Sequence, residues 1–188
     1  MKKTIIYGLS VFAFACLMSL DVPKGWFKAG SVPDKYEMGI AIGAGEHGKN
    51  VATIKSTANK IHGFGTLMQS CMPGKYLGKK VRMTGRMKSE NVTGWAGFWF
   101  RVDEANSKKS LSFDNMYDRC ITKTTDWKEY EIILDVPANA SKLAYGALLS
   151  GKGQIWFDNI KFEIVDEQTS TTGRSTLDAP QNLNFDEK

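Results

Sequence analysis

The segment of the chain best suited to chemistry is Gly94-Trp95-Ala96-Gly97-Phe98-Trp99-Phe100-Arg101-Val102-Asp103. In a β-strand successive side chains point to opposite faces, so Ala96, Phe98, Phe100 and Val102 form a core stripe. Trp95, Gly97, Trp99 and Arg101 then share the other face, with the two indoles about 13 Å apart and Gly97 leaving the floor between them open. Flat aromatic faces stack on the apolar side of a sugar or another planar ligand, and a neighbouring arginine hydrogen-bonds its polar groups. The alternative is a loop-covered tryptophan packed as secondary core. The segment 80–88 alternates too, with Val81, Met83 and Met87 inward and Arg82, Thr84 and Arg86 outward, so Arg82 becomes a candidate flank of the same groove. Gln69, Asp114, Asn115 and Arg119 join the candidates, because each lies in or just after an apolar strand-like segment, where a buried polar group needs a partner.

Nothing in the sequence assembles a catalytic centre. Glycoside hydrolysis uses two acids flanking the scissile bond. Glu37, Glu90, Asp103, Asp114 and Glu131 are available, but no spacing pairs any two of them. A Gly-x-Ser-x-Gly elbow, a His-Glu-x-x-His helix and a phosphate-cradling Gly-rich loop are all missing. The 2 histidines and 3 cysteines leave little for zinc, and His47 and His62 lie in polar, loop-like surroundings. The expectation is a chain that is not an enzyme and needs no catalytic cofactor.

A two-sheet antiparallel β-sandwich, or jelly roll, is expected to position these residues. Of 188 residues, 42% are hydrophobic, 11% aromatic and 24% charged, enough apolar material for one packed domain. From about residue 26 to 165 the period is two, and Gly, Pro, Asn and Asp interrupt it at short intervals. Strands are predicted at 25–29, 36–42, 51–56, 64–70, 80–88, 95–102, 110–116, 128–136, 142–149 and 154–164. Gly151 and Gly153 mark a turn before the last strand. The domain is placed at 23–165, and the polar stretch 166–188 reads as a disordered tail.

Residues 1–20 read as a signal peptide or lipoprotein leader: Lys2 and Lys3 precede an uncharged apolar run, and Ala13-Phe14-Ala15 stands before Cys16. Lipidation of Cys16, simple secretion and an uncleaved anchor stay open, and all three export the domain to the envelope or beyond. Cys71 and Cys120 are then the remaining pair, open to a disulfide or to two free buried thiols. The formal charge of +5 falls to +3 without the two leader lysines, and the other basic residues are scattered, which argues against nucleic acid as a partner. Membrane contact is expected only through a lipid anchor.

Three segments carry a resemblance: Tyr76-Leu77-Gly78-Lys79-Lys80-Val81, Asp126-Trp127-Lys128-Glu129-Tyr130 and Gly153-Gln154-Ile155-Trp156-Phe157-Asp158-Asn159-Ile160. In that order they resemble the galactose-binding-like jelly rolls of bacterial carbohydrate-binding modules. The resemblance implies a β-sandwich, a sugar-binding face and in some members a structural calcium, for which Asp158 occupies the place of the acidic ligand. Gly25-Trp26-Phe27, Phe64-Gly65-Thr66-Leu67-Met68-Gln69, Gly94-Trp95-Ala96-Gly97 and Phe113-Asp114-Asn115-Met116 look more closely like a domain appended to bacterial AraC-type transcriptional regulators. The chain departs from that pattern in its export signal and in lacking a helix-turn-helix segment. Ala179-Pro180-Gln181-Asn182-Leu183-Asn184-Phe185-Asp186 is similar to the stretch that opens such jelly rolls, so the tail either returns as a first strand or belongs to a severed second module. The expected function is an exported, non-catalytic module that binds carbohydrate through its aromatic face. An envelope structural or protein-interaction domain is the alternative, and a glycoside-directed enzyme the lesser one.

Overall fold

The computed structural model describes residues 20–173. The leader with Cys16 and the segment 179–186 lie outside the described residues. The strands are β1 (Phe27–Gly30), β2 (Tyr36–Ala41), β3 (Val51–Ser56), β4 (Phe64–Cys71), β5 (Lys79–Glu104), β6 (Ser110–Asp114), β7 (Ile121–Val136), β8 (Ala140–Ser150) and β9 (Gln154–Val165). Among the described residues the only helical pieces are single 3-10 turns. Every strand pair is antiparallel.

The strands form the expected sandwich. In the first sheet β2, β3, β9, the first half of β5 and β7 lie side by side. In the second sheet the order is β1, β4, β8, the second half of β5 and β6. The two predicted strands at 80–88 and 95–102 are therefore one strand of 26 residues that serves both sheets. Bulges between Met87 and Ala96 interrupt its pairing with β7, and Asn91 takes a left-handed φ of 53°. A bulge bends a strand and raises its twist, and here it carries β5 from one sheet to the other. Residues 89–94 looked like a break because Glu90, Asn91, Thr93 and Gly94 are turn-prone types.

The core lies between the sheets. Its β5 members are odd-numbered before the bend (Val81, Met83, Met87) and even-numbered after it (Val92, Ala96, Phe98, Phe100, Val102). The two halves face one another, because a Cβ built on Gly85 would stand 2.7 Å from Cζ of Phe98. Glycine at 85 makes room for that ring. Phe98 meets Phe157 of β9 nearly edge-on at 6.0 Å, and Phe100 meets Phe162 at 5.4 Å. Burying a side chain of this size stabilises the fold by about 1.5–3 kcal/mol relative to leaving it in water. The turn from β8 into β9 uses φ of 76° at Gly151 and 126° at Gly153, the positive values the two glycines suggested.

One expectation is corrected and one open alternative is decided. The chain does not leave the sandwich at Asp166: Lys80 Nζ donates to the carbonyls of Glu167 (2.8 Å) and Thr169 (2.7 Å), and Thr172 exchanges backbone and side-chain hydrogen bonds with Ile133 of β7. This return covers part of the free edge of β7. Cys71 and Cys120 are free thiols. Cys71 pairs with Leu143 of β8, whereas Cys120 adjoins Ile121, which lies beside Ala96 and hence near Leu149 of the same strand. Six residues of strand, about 20 Å, separate those positions, too far for a disulfide.

Candidate functional site

The outward face of the second sheet presents side chains from four neighbouring strands. β5 contributes Trp95, Trp99 and Arg101, β8 contributes Leu148, β4 contributes Phe64, Thr66 and Met68, and β1 contributes Ala29. With Gly30, Phe113 and Asn115 they line an open groove of about 390 Å³. The alternation read in 94–103 thus holds, and both tryptophans stand on the face away from the core.

Their roles differ. Trp99 is only 7% exposed and packs with Ala144, Leu148, Met68 and Trp95 in an apolar cluster of its own. Its indole N–H donates to Thr66 Oγ1 at 2.8 Å, and the Thr66 hydroxyl donates onward to the Ala147 carbonyl at 2.7 Å. The chain of bonds satisfies every polar atom that Trp99 buries and fixes the ring in the wall of the groove. Trp95 is half-buried and meets Tyr117 edge-on, with ring centroids 5.3 Å apart. The open floor expected at Gly97 is not there. Met116, fully buried, covers it, and a Cβ on Gly97 would lie 3.3 Å from Cβ of Met116.

Arg101 completes the row on β5. Its Nε lies 2.9 Å from Oδ1 of Asp103 and its Nη2 donates to Oδ2 at 3.0 Å. Lys142 Nζ approaches the same Oδ2 at 3.3 Å.

Asp114 and Arg119 hold the turn that borders the groove. The buried Asp114 carboxylate accepts hydrogen bonds from the Met116 amide (2.7 Å), Arg119 Nη2 (2.5 Å) and Thr172 Oγ1 (2.6 Å). Burial pushes this carboxyl up, but the bonds from Arg119, Thr172 and Met116, with the Arg119 charge, outweigh it and hold it below the ordinary value. Every Asp114 interaction is therefore internal, and the pair fixes Phe113 and Asn115 at the rim.

Two other expected members lie elsewhere. Gln69 is on the core side of β4, where its Oε1 accepts from the Tyr145 hydroxyl. Arg82 is on the outward face of the first sheet, held by Glu131 (3.0 Å) and Glu163 (2.7 Å). Its strand half does neighbour β7 and β9, but on the opposite side of the sandwich from the tryptophans, so it does not flank the groove. The residues missed by the sequence reading include Phe64, Thr66 and Met68 of β4, with Ala29 of β1 and Leu148 of β8. For the β4 residues, alternation with the core residue Leu67 was the available signal.

The first sheet's outward face has its own aromatic residues. Lys88 Nζ lies 5.4 Å from the ring of Trp127 and 4.7 Å from that of Trp156, while Arg86 pairs with Glu46 and stands 5.9 Å from Trp127. Asp158 shares a pocket with Trp26 and Asn50, and its Oδ1 is buried without a partner among the described residues. Calcium takes six to eight oxygens. No group of three His, Cys, Asp or Glu side chains forms among the described residues, so an ion at Asp158 would need the side-chain oxygens of Asn50 or Asn159, backbone carbonyls or water to complete its shell.

No family model matches the chain. It is 42% identical over 170 residues to YbfP of Bacillus subtilis (strain 168), described as an uncharacterized HTH-type transcriptional regulator. That match takes in 88% of this chain but only 57% of the relative, so the chain spans a little more than half of it. Among solved structures, the enzymatically active domain of bacteriophage CBA120 tailspike protein 4 superposes with a TM-score of 0.58 at 10% identity, over 76% of this chain and 20% of that one. The CBM22-1 xylan-binding domain of Paenibacillus barcinonensis Xyn10C gives 0.55 at 14%, over 78% and 90%. The CBM22-1 and GH10 modules of Clostridium thermocellum Xyn10B, complexed with xylohexaose, give 0.53 at 9%, over 74% and 26%. At such identities the likeness is one of fold: this chain has the jelly roll found in carbohydrate-binding modules.

Proposed function

We propose that the chain is an exported, non-catalytic module that binds a saccharide in the groove of the second sheet. The observation that carries this reading is the row Trp95, Trp99 and Arg101 lining one open groove beside apolar Leu148 and Met68. Rings stack on the apolar side of a pyranose, and the arginine supplies donors to its oxygens. The xylan-binding role of a fold neighbour supports the same ligand class. The non-catalytic reading rests on Asp103, Asp114 and Glu131, each taken by a different arginine. Export rests on the leader, with Cys16 as the proposed lipid site, and a structural calcium at Asp158 is the one ion proposed. Kinship with an HTH-type regulator, like the AraC-type resemblance, supports a shared module, and a regulator function is not carried over from it.

Retention of the purified chain in polysaccharide-containing gels tests the reading. Trp95→Ala, at a half-buried position, should keep the fold and weaken retention at least tenfold. A wild type that no polysaccharide retards, or a variant retarded equally, refutes it. A protein-interaction surface is the second reading, favoured by Phe27, Phe64 and Phe113, which stand 37–45% exposed on or beside the same face.

A further inference from the structure

We infer that the groove selects an acidic saccharide, with a uronate carboxylate seated at Arg101. The inference rests on the saccharide reading and adds the ligand's charge.

The groove offers donors and no anionic acceptor. None of its lining residues is Asp or Glu. Arg101 is held by Asp103 through Nε and Nη2 only, so Nη1 has no protein partner among the described residues, and the side chain is 42% exposed. Asn115 uses its Oδ1 to accept from the Tyr117 amide at 3.2 Å, which leaves its Nδ2 free among the described residues. A neutral sugar presents hydroxyls that both donate and accept. A wall without a carboxylate and with two free donors suits an acid group, to which Nη1 of Arg101 can donate a charge-assisted hydrogen bond while Nε and Nη2 stay on Asp103.

The charge around Arg101 leans the same way. Arg101 is also a wall of a second, polar cleft, formed by the β5 to β6 connection and the start of β8. That cleft holds Arg101, Lys108 and Lys142 against Asp103 and Glu104, an excess of one positive charge. Asp103 is shared between Arg101 and Lys142 and can neutralise only one of them. Trp99 and Arg101 are two residues apart on one strand face, about 7 Å, the reach of a pyranose ring with its exocyclic carboxylate. A ring against the tryptophan wall thus brings its acid group within reach of Nη1, beside the cleft that carries the excess charge.

Affinity electrophoresis of the full chain in gels of polygalacturonate and of neutral xylan decides the matter. Polygalacturonate should retard the wild type at least tenfold more strongly, and the difference should shrink as salt rises. Arg101→Gln should abolish that preference, Arg101→Lys should restore part of it, and Arg82→Gln on the opposite face should leave it intact, with circular dichroism confirming folded variants. Equal retention by both polymers, unchanged in Arg101→Gln, overturns the acidic ligand and leaves the saccharide reading standing. Retention by polygalacturonate that survives Trp95→Ala and falls equally in Arg82→Gln is adsorption of charge alone and also overturns it. If neither polymer retards the wild type, the acidic-ligand inference falls, and the saccharide reading falls with it only when no other polysaccharide retards the chain.

Discussion

On the first sheet's outward face Lys88 lies between Trp127 and Trp156, and Arg86 is paired with Glu46, so cations from the chain itself already occupy the aromatic rings. On the second sheet's face the same residue types are arranged otherwise. Arg101 points its bonds at Asp103, no cation among the described residues stacks on Trp95 or Trp99, and the groove between them and β4 stays open. Composition alone does not separate the two faces. What separates them is whether the local partners of each ring and cation are used up within the fold. A cation held over an indole stabilises the chain by about 0.5–1 kcal/mol and closes that ring to a ligand.

Five substitutions break or sharpen this contrast. Trp99→Ala should have the largest effect, a loss of about 3–5 kcal/mol in chemical denaturation, because the ring is almost wholly buried in its own cluster. Trp156→Ala on the opposite face should cost markedly less, and equal losses would show that both faces are core. Asp114→Asn should follow with up to about 3 kcal/mol, since it breaks a pair whose carboxylate side is buried, reduced because Arg119 is a third exposed. The folded Asp114 carboxyl titrates below its unfolded value of about 3.9, so its contribution is complete above about pH 4 and is lost as pH falls through the folded value. Wild type and Asp114→Asn should therefore differ at pH 7 and converge in acid, as read by denaturation midpoints.

Thr66→Val should cost about 1–3 kcal/mol, because it leaves the buried indole N–H of Trp99 without an acceptor while hardly changing the shape of the groove. Lys88→Met should be the mildest change, under about 1 kcal/mol, with gel retention unaltered. A loss of retention in Lys88→Met would move the ligand to the wrong sheet and reverse the contrast.

The period-two pattern made the sandwich legible, and the alternation in 94–103 placed Trp95, Trp99 and Arg101 on one face. Periodicity does not cross a bend, however. Residues 89–94 read as a loop although they are the bulged middle of β5, and with that link missing nothing showed that Arg82 and Trp99, on one strand, face opposite sides of the molecule. Gln69 is a different case: a polar residue in an apolar segment needs a partner, and the sequence does not say whether that partner is a ligand or, as here, Tyr145 on the core side. The cover over Gly97 was illegible because Met116 reaches it from a turn, at a left-handed φ of 58° that no spacing announces.

The change of parity along β5 has a consequence for how this protein can vary. Core positions are odd-numbered before Asn91 and even-numbered after it, so the six or so residues of the bend act as a phase shifter between two reading frames of the same strand. Losing or gaining one residue there would put Trp95, Trp99 and Arg101 toward the interior and turn Phe98 and Phe100 out into water. Two residues lost or gained would keep the frame and alter only the curvature. Length variation among functional relatives at this bend is therefore expected in even steps, each of which leaves the tryptophans facing the groove.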